Sequence, residues 1–374
     1  MKSSSLSLSL WQKKQATLLY HFASLAYLKS VKERIDTLLA SSNSTLDAAA
    51  RKNRNARLKS QRRGHRDTSK NSGNNAWACL ANFQRGLAED IANRSVEAYA
   101  VTGRNNCARS LAESSMEWTT PGEQATYDDL FANACARAAD IDLTMNRLAP
   151  ESHWSDYVLT MRWKKHEKEF PRIPKLRVRE DVFAQTGAVP VRTGVYFCAD
   201  DPNAALQFAW TGGGGGKLLE SCTFNALGEA ALAAVGRAQL WLDGDAMLKF
   251  VKANQNSRLL RADSFFEDSQ TAALAPSLVA RQAFIGKPCK WYFVEMIADE
   301  FEEITEEDQP AAGAATSALR FEAGATCSVA GVYFTPARQN SRRPFKVGDV
   351  FPDEASGYGA TFWQLDEQQD GKQN

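Results

Sequence analysis

Gly331-Val-Tyr-Phe-Thr-Pro-Ala-Arg-Gln-Asn-Ser-Arg-Arg-Pro-Phe-Lys-Val-Gly-Asp-Val-Phe351 is written in the grammar of short strands. Val332, Phe334, Val350 and Phe351 are apolar and β-prone, and Pro336 and Pro344 interrupt them. Gly357 and Gly359 then bracket Tyr358 ahead of the aromatic run Thr361-Phe-Trp363. The pattern predicts antiparallel strands joined by turns. Arg338, Arg342, Arg343 and Lys346 fall between the apolar runs, where they either line a binding surface or solvate a basic loop.

The same phrase occurs earlier in the chain. Arg192-Thr-Gly-Val-Tyr-Phe-Cys-Ala-Asp200 parallels Ser328-Val-Ala-Gly-Val-Tyr-Phe-Thr-Pro336, and Gly216–Phe224 loosely parallels Phe345–Phe351. Two related antiparallel β-meander units, at about 190–255 and 327–367, are the economical reading. Helices at about 227–236 and 244–254 follow the first copy, and Trp291–Ile297 reads as a strand that introduces the second.

Upstream of Pro171 the period changes from 2 to 3.6. Leu18, Phe22, Leu25, Leu28, Val31, Ile35 and Leu38 recur at steps of three or four, which predicts one long amphipathic helix over 9–40. Helical periodicity resumes from about Ala76 to Val101. Thr120-Pro-Gly-Glu123 reads as a capping box with proline at the first helical position, and a helix over about 155–169 stops before Pro171. The expected fold is therefore α+β: a helical bundle over 1–170, then a β-rich region over 171–374, with the boundary near Phe170-Pro-Arg-Ile-Pro174.

Composition sets limits. The chain has 374 residues, 44% hydrophobic and 24% charged, the profile of an ordinary globular protein, and no apolar run is long enough to span a membrane. The Ser/Leu alternation at the start runs into Trp11-Gln-Lys-Lys14 where a signal peptide needs small residues. Seven cysteines, odd in number and without CxxC spacing, fit reduced thiols, so a cytoplasmic location is expected. The net charge of +1 hides +7 over 1–170 and −6 over 171–374. Residues 51–70 carry nine Lys/Arg and one acid but no aromatic interleaving, so nucleic-acid binding is not expected there.

Familiar chemistry is missing from the pattern. Thr211-Gly-Gly-Gly-Gly-Gly-Lys217 fails as a phosphate loop, because threonine replaces its first glycine and Leu218 stands where a magnesium-holding hydroxyl belongs; it reads as a floppy hairpin loop. Asp243-Gly-Asp245 has Asn254 where a calcium loop needs glutamate, and reads as a turn or helix cap. All four histidines precede residue 171 and none is paired at metal spacing. No metal, cofactor or catalytic set is implied.

One cluster is distinctive. Between Glu295 and Asp308 stand eight acids and no Lys or Arg, with Phe301 and Ile304 among them. The run is either a solvated acidic loop or a surface complementary to a basic partner, with Glu302, Glu303, Glu306 and Glu307 steering association and Phe301 as an apolar anchor.

The segment Gly331–Arg338, Ser341-Arg-Arg343 with Phe345 and Gly348, and Tyr358-Gly-Ala-Thr-Phe-Trp-Gln364 resembles the carboxy-terminal signature of bacterial polymorphic-toxin immunity families seventy-one and seventy-two. A weaker likeness covers Thr193–Phe197, Cys222–Gly228, Ala234–Arg237 and Leu240–Asp243. The resemblance implies a protein that binds and neutralises a cognate toxin without catalysis. Toxin contacts would then involve Arg338, Arg342, Arg343 and Tyr358 as well as the acidic run. Apart from the resemblance, the long first helix offers the N-terminal surface through which two copies of the chain could pair. An enzyme that removes the toxin's product and a nucleic-acid-binding protein are the alternatives.

Overall fold

Ser24 divides the first predicted helix. Its backbone is extended (ψ 147°) and its hydroxyl accepts the Tyr27 N–H, so helix α1 (Leu10–Ala23) ends and α2 (Leu25–Arg51) begins with a cap of its own. A computed structural model describes residues 6–54, 68–147, 154–304, 320–323, 327, 330–335, 341–352 and 362–365. Most of the basic run 51–70 and the candidates Glu306, Glu307, Arg338 and Tyr358 lie outside them.

The remaining helices are α3 (Ser69–Asn93), α4 (Arg104–Ala112), α5 (Pro121–Met145), α6 (Asp156–His166), α7 (Ala226–Val235), α8 (Gly244–Ala253), α9 (Arg258–Arg261) and α10 (Ala275–Ala280). Helix α3 starts seven residues before its periodic apolar face because the Thr68 hydroxyl caps Asn71. The predicted capping box closes α5, with Thr120 and Glu123 bonding reciprocally, and Asp243 caps α8 through the Ala246 N–H.

The strands among the described residues are β1 (Arg172–Gln185), β2 (Gly194–Cys198), β3 (Gln207–Ala209), β4 (Ser221–Phe224), β5 (Phe284–Lys287), β6 (Lys290–Glu303), β7 (Arg320–Glu322), β8 (Gly331–Phe334), β9 (Arg343–Phe345) and β10 (Phe362–Leu365). They form antiparallel sheets in the orders β1-β6-β2-β3, β4-β5 and β7-β10-β8-β9. The architecture is α+β, with a helical N-terminal region and antiparallel sheets after it.

Secondary structure changes type at Arg172, but the division into compact units falls later, between Met1–Asp308 and Gln309–Asn374. Within the first unit one apolar core joins helices and sheet. Phe22, Leu28, Val31 and Ile35 share it with Val195, Phe197, Leu206, Phe208 and Val294, all buried. The apolar stripe of the first two helices is buried within the unit, with α1 against β1, β2 and β3 and α2 against α3 and α5. The other face of that sheet carries a second cluster with Tyr196, Cys198, Trp291 and Phe293, while Phe224, Trp241 and the helices α7, α8 and α10 enclose a third.

Both copies of the Gly-Val-Tyr-Phe phrase are interior strands. β2 lies between β3 and β6, and β8 lies between β9 and β10. Each buries its tyrosine completely: Tyr196 bonds back to the Arg192 backbone through its hydroxyl, and Tyr333 packs with Cys327, Phe345, Phe351 and Trp363. Gly194 is required by close approach, because a Cβ there would stand 2.6 Å from the Phe293 ring and 2.8 Å from the Tyr20 hydroxyl.

The glycine-rich loop is anchored at its base rather than floppy. Glu97 accepts hydrogen bonds from the hydroxyls of Thr193 and Thr211, and a Cβ on Gly212 would lie 2.2 Å from the Val96 carbonyl oxygen. These bonds also hold the Glu97 carboxyl below its usual range.

Candidate interaction surface

Strands β1 and β6 form a long ribbon that carries the acidic run, so its described part is strand up to Glu303 and not a loop. The register sets Arg172 opposite Glu303, Ile173 opposite Glu302, Pro174 opposite Phe301 and Arg177 opposite Glu295. Cross-strand neighbours of opposite charge attract, and here the attraction is extensive. Arg177 donates to Glu295 through Nε (3.0 Å) and Nη2 (2.5 Å), and Arg179 donates to Glu295 at 3.1 Å and to Asp181 at 2.7 Å. Lys175 binds Glu300 at 2.8 Å and Lys13 of α1 binds Glu302 at 2.9 Å.

The titration behaviour follows from these contacts. The Arg177 hydrogen bonds hold the Glu295 carboxyl low, and those from Arg179 hold Asp181 at about 2. Glu300 raises the Lys175 ammonium in turn. Between Glu295 and Glu303 the surface is therefore patterned with both signs, and a uniformly negative field is not what this part of the run presents.

The ribbon is interrupted twice. On β1 the register jumps between Arg179 and Phe183, and on β6 it jumps between Met296 and Phe301, so that Ile297-Ala-Asp-Glu300 bulges out opposite Lys175. Asp299 sits in the left-handed region (φ 60°), which aspartate tolerates better than most residues. Bulges re-aim side chains. This one turns Phe301 outward at 55% exposure, with the Arg172 guanidinium 5.4 Å from its ring centre, and Met296 on its other flank is 47% exposed. An apolar centre thus stands inside a rim of ion pairs, the layout of a protein-binding patch.

Phe301, Glu302 and Glu303 are consecutive on β6 in the first unit, whereas Arg342 and Arg343 belong to the second. Arg343 on β9 stacks over Trp363 (4.5 Å) and Phe345 (5.3 Å), and Arg342 lies over Phe334 at 5.9 Å, so both arginines help cover their own sheet's aromatic residues. The residues overlooked in the sequence are the cations of β1. Arg172, Lys175, Arg177 and Arg179 recur at near-strand spacing, and their complementarity to 295–303 was the available signal.

The weaker motif residues converge on a buried carboxylate. Asp156, 1% exposed at the start of α6, accepts from the Trp241 indole at 2.5 Å and pairs with Arg237 at 2.5 Å. Arg237 also donates to Asn203 at 2.7 Å and lies over the Trp11 ring. This is a clamp between α6, the turn before α8 and the β2–β3 connection.

Comparison of the chain with family models, with curated proteins and with solved structures finds no match.

Proposed function

We propose that this chain is a non-catalytic immunity protein that binds and neutralises a cognate toxin acting in the cytoplasm, a nuclease-type effector delivered by contact-dependent or type VI secretion. The motif resemblance over Gly331–Gln364 supports the reading, and the bulge that presents Phe301 within a rim of ion pairs carries it. Phe301 supplies the apolar anchor, which a partner's pocket desolvates. The flanking Arg172, Lys175, Glu300 and Glu302 then fix orientation by complementary charge, so specificity comes from the rim and affinity from the centre. No helix among the described residues is long and apolar enough to cross a membrane.

The test is capture of the product of the neighbouring open reading frame by the purified full chain, with Phe301→Ser compared against Arg342→Glu and Arg343→Glu. Loss of about 2 kcal/mol of binding, roughly thirtyfold in Kd, for Phe301→Ser with an unchanged melting curve supports this surface. Full affinity in Phe301→Ser with loss in the arginine variants places the interface on the second unit instead.

A further inference from the structure

All seven cysteines are free thiols, but they stand in different surroundings. Cys79, Cys107 and Cys135 come near one another on α3, α4 and α5, where burial pushes Cys107 up to about 12 and Cys135 up to about 11. These remain protonated thiols at neutral pH. Cys198 and Cys289 differ. Cys198 ends β2 opposite Trp291 of β6, and Cys289 lies two residues before Trp291, which puts both side chains on the same face of the sheet. They share the apolar cluster of Tyr196 and Trp291.

The two side chains interact within this cluster: Cys289, with the backbone of Asp200 and Asp201, holds the Cys198 thiol below its ordinary value, and the same contact pushes Cys289 up. Cys198 is 1% exposed, whereas Cys289 is half-buried and reaches solvent. Thr186 fixes the loop around Cys289 by accepting its N–H at 3.0 Å and donating its own N–H to the Cys289 carbonyl at 3.2 Å.

We propose that Cys198 and Cys289 form an oxidisable dithiol, a modification site at which a small peroxide or disulfide oxidant closes an intramolecular disulfide. Cys289, the thiol that solvent reaches, gives up its proton to solvent as its sulfur displaces one thiolate from a disulfide RSSR, and that thiolate takes up a proton as RSH. Cys198 then loses its proton and attacks the Cys289 sulfur, expelling the second thiolate. Two protein thiols and one RSSR become one protein disulfide and two RSH; with hydrogen peroxide as oxidant the products are the disulfide and two waters. Diagonal neighbours on paired strands stand roughly 7–8 Å apart at Cα, and a disulfide needs about 4.4–6.8 Å, so closure draws the Pro288–Lys290 segment inward by roughly 1 Å.

The experiment treats the folded full chain with hydrogen peroxide, and separately with glutathione disulfide, and maps non-reduced peptides by mass spectrometry. The expected result is loss of two of the seven thiols, a peptide linking Cys198 to Cys289, and full reversal by dithiothreitol. Cys198→Ser should convert the glutathione product to a mixed disulfide on Cys289, and Cys289→Ser, at the more exposed position, should abolish the link while leaving the fold intact. Retention of all seven thiols by the folded wild-type chain, or a link through Cys79, Cys107 or Cys135, would overturn the proposal.

Discussion

The Tyr20 hydroxyl donates to the Val294 carbonyl and accepts the Val195 N–H, so a side chain of α1 is inserted into the β2–β6 ladder at the pair Val195–Val294. Burial raises its phenol above the ordinary range, which keeps it a donor. The contact locks helices and sheet into one core and explains Gly194 beside it. Tyr20→Phe should cost about 1–3 kcal/mol by leaving two backbone groups without a partner. Gly194→Ala should cost a similar amount through overpacking against Phe293. Urea unfolding checks both, and the helix signal and the tryptophans of the first unit should be lost together, as their joint core requires.

The clamp around Asp156 predicts a pH-dependent loss. Burial raises the Asp156 carboxyl, with Arg237 opposing the rise. A carboxylate raised in the fold contributes stability below its unfolded value, near 3.8, and that contribution disappears as pH rises through the folded value. Arg237→Ala removes the opposing charge, so the deficit at pH 7 should be about 3 kcal/mol, the low end for a buried pair because Arg237 keeps 30% of its side chain in solvent. The deficit should shrink as pH falls, because protonation of Asp156 removes the unpaired charge. A deficit independent of pH would assign the loss to packing against Trp11 alone.

His21 carries the opposite sign. Burial lowers its pKa from 6.5, and Glu169 at 3.8 Å only partly offsets that effect. The unfolded chain then binds the proton more readily, so stability should fall as pH drops below 6.5 toward the folded value. His21→Gln should flatten the decline between pH 7.5 and 5.5, measured by the denaturation midpoint in each variant.

Much of the local structure was legible because its causes are local. Thr120 with Glu123 and Asp243 with Ala246 are caps whose partners lie three residues away, and the strands around Tyr196 and Tyr333 announce themselves by alternation and bounding glycines. The break at Ser24 was hidden because the apolar stripe keeps its phase across it. Strand β1 was obscured by Pro174, its charges and its bulge, and its meaning resides in β6, more than a hundred residues away. The anchoring of Gly212, the Asp156 clamp and the Cys198–Cys289 contact likewise join distant segments, which single-sequence periodicity does not encode.

The ribbon predicts separable kinetics. Phe301→Ser should raise the rate of toxin dissociation, because it removes a desolvated anchor, while Glu303→Lys, at an exposed rim position, should act mainly on association and lose its effect at high salt. Surface plasmon resonance at two ionic strengths distinguishes them. Glu302→Lys should additionally disturb α1, since Lys13 binds Glu302 at 2.9 Å.

The central claim is tested most directly by titrating the purified chain into a fixed concentration of the toxin encoded beside it and measuring residual toxin activity. Stoichiometric neutralisation predicts a linear fall to zero at one equivalent, with the two proteins recovered as a complex. Restoration of the toxin's target by a small fraction of an equivalent would show turnover and contradict a binding inhibitor, and undiminished toxin activity at several equivalents would contradict an immunity role altogether.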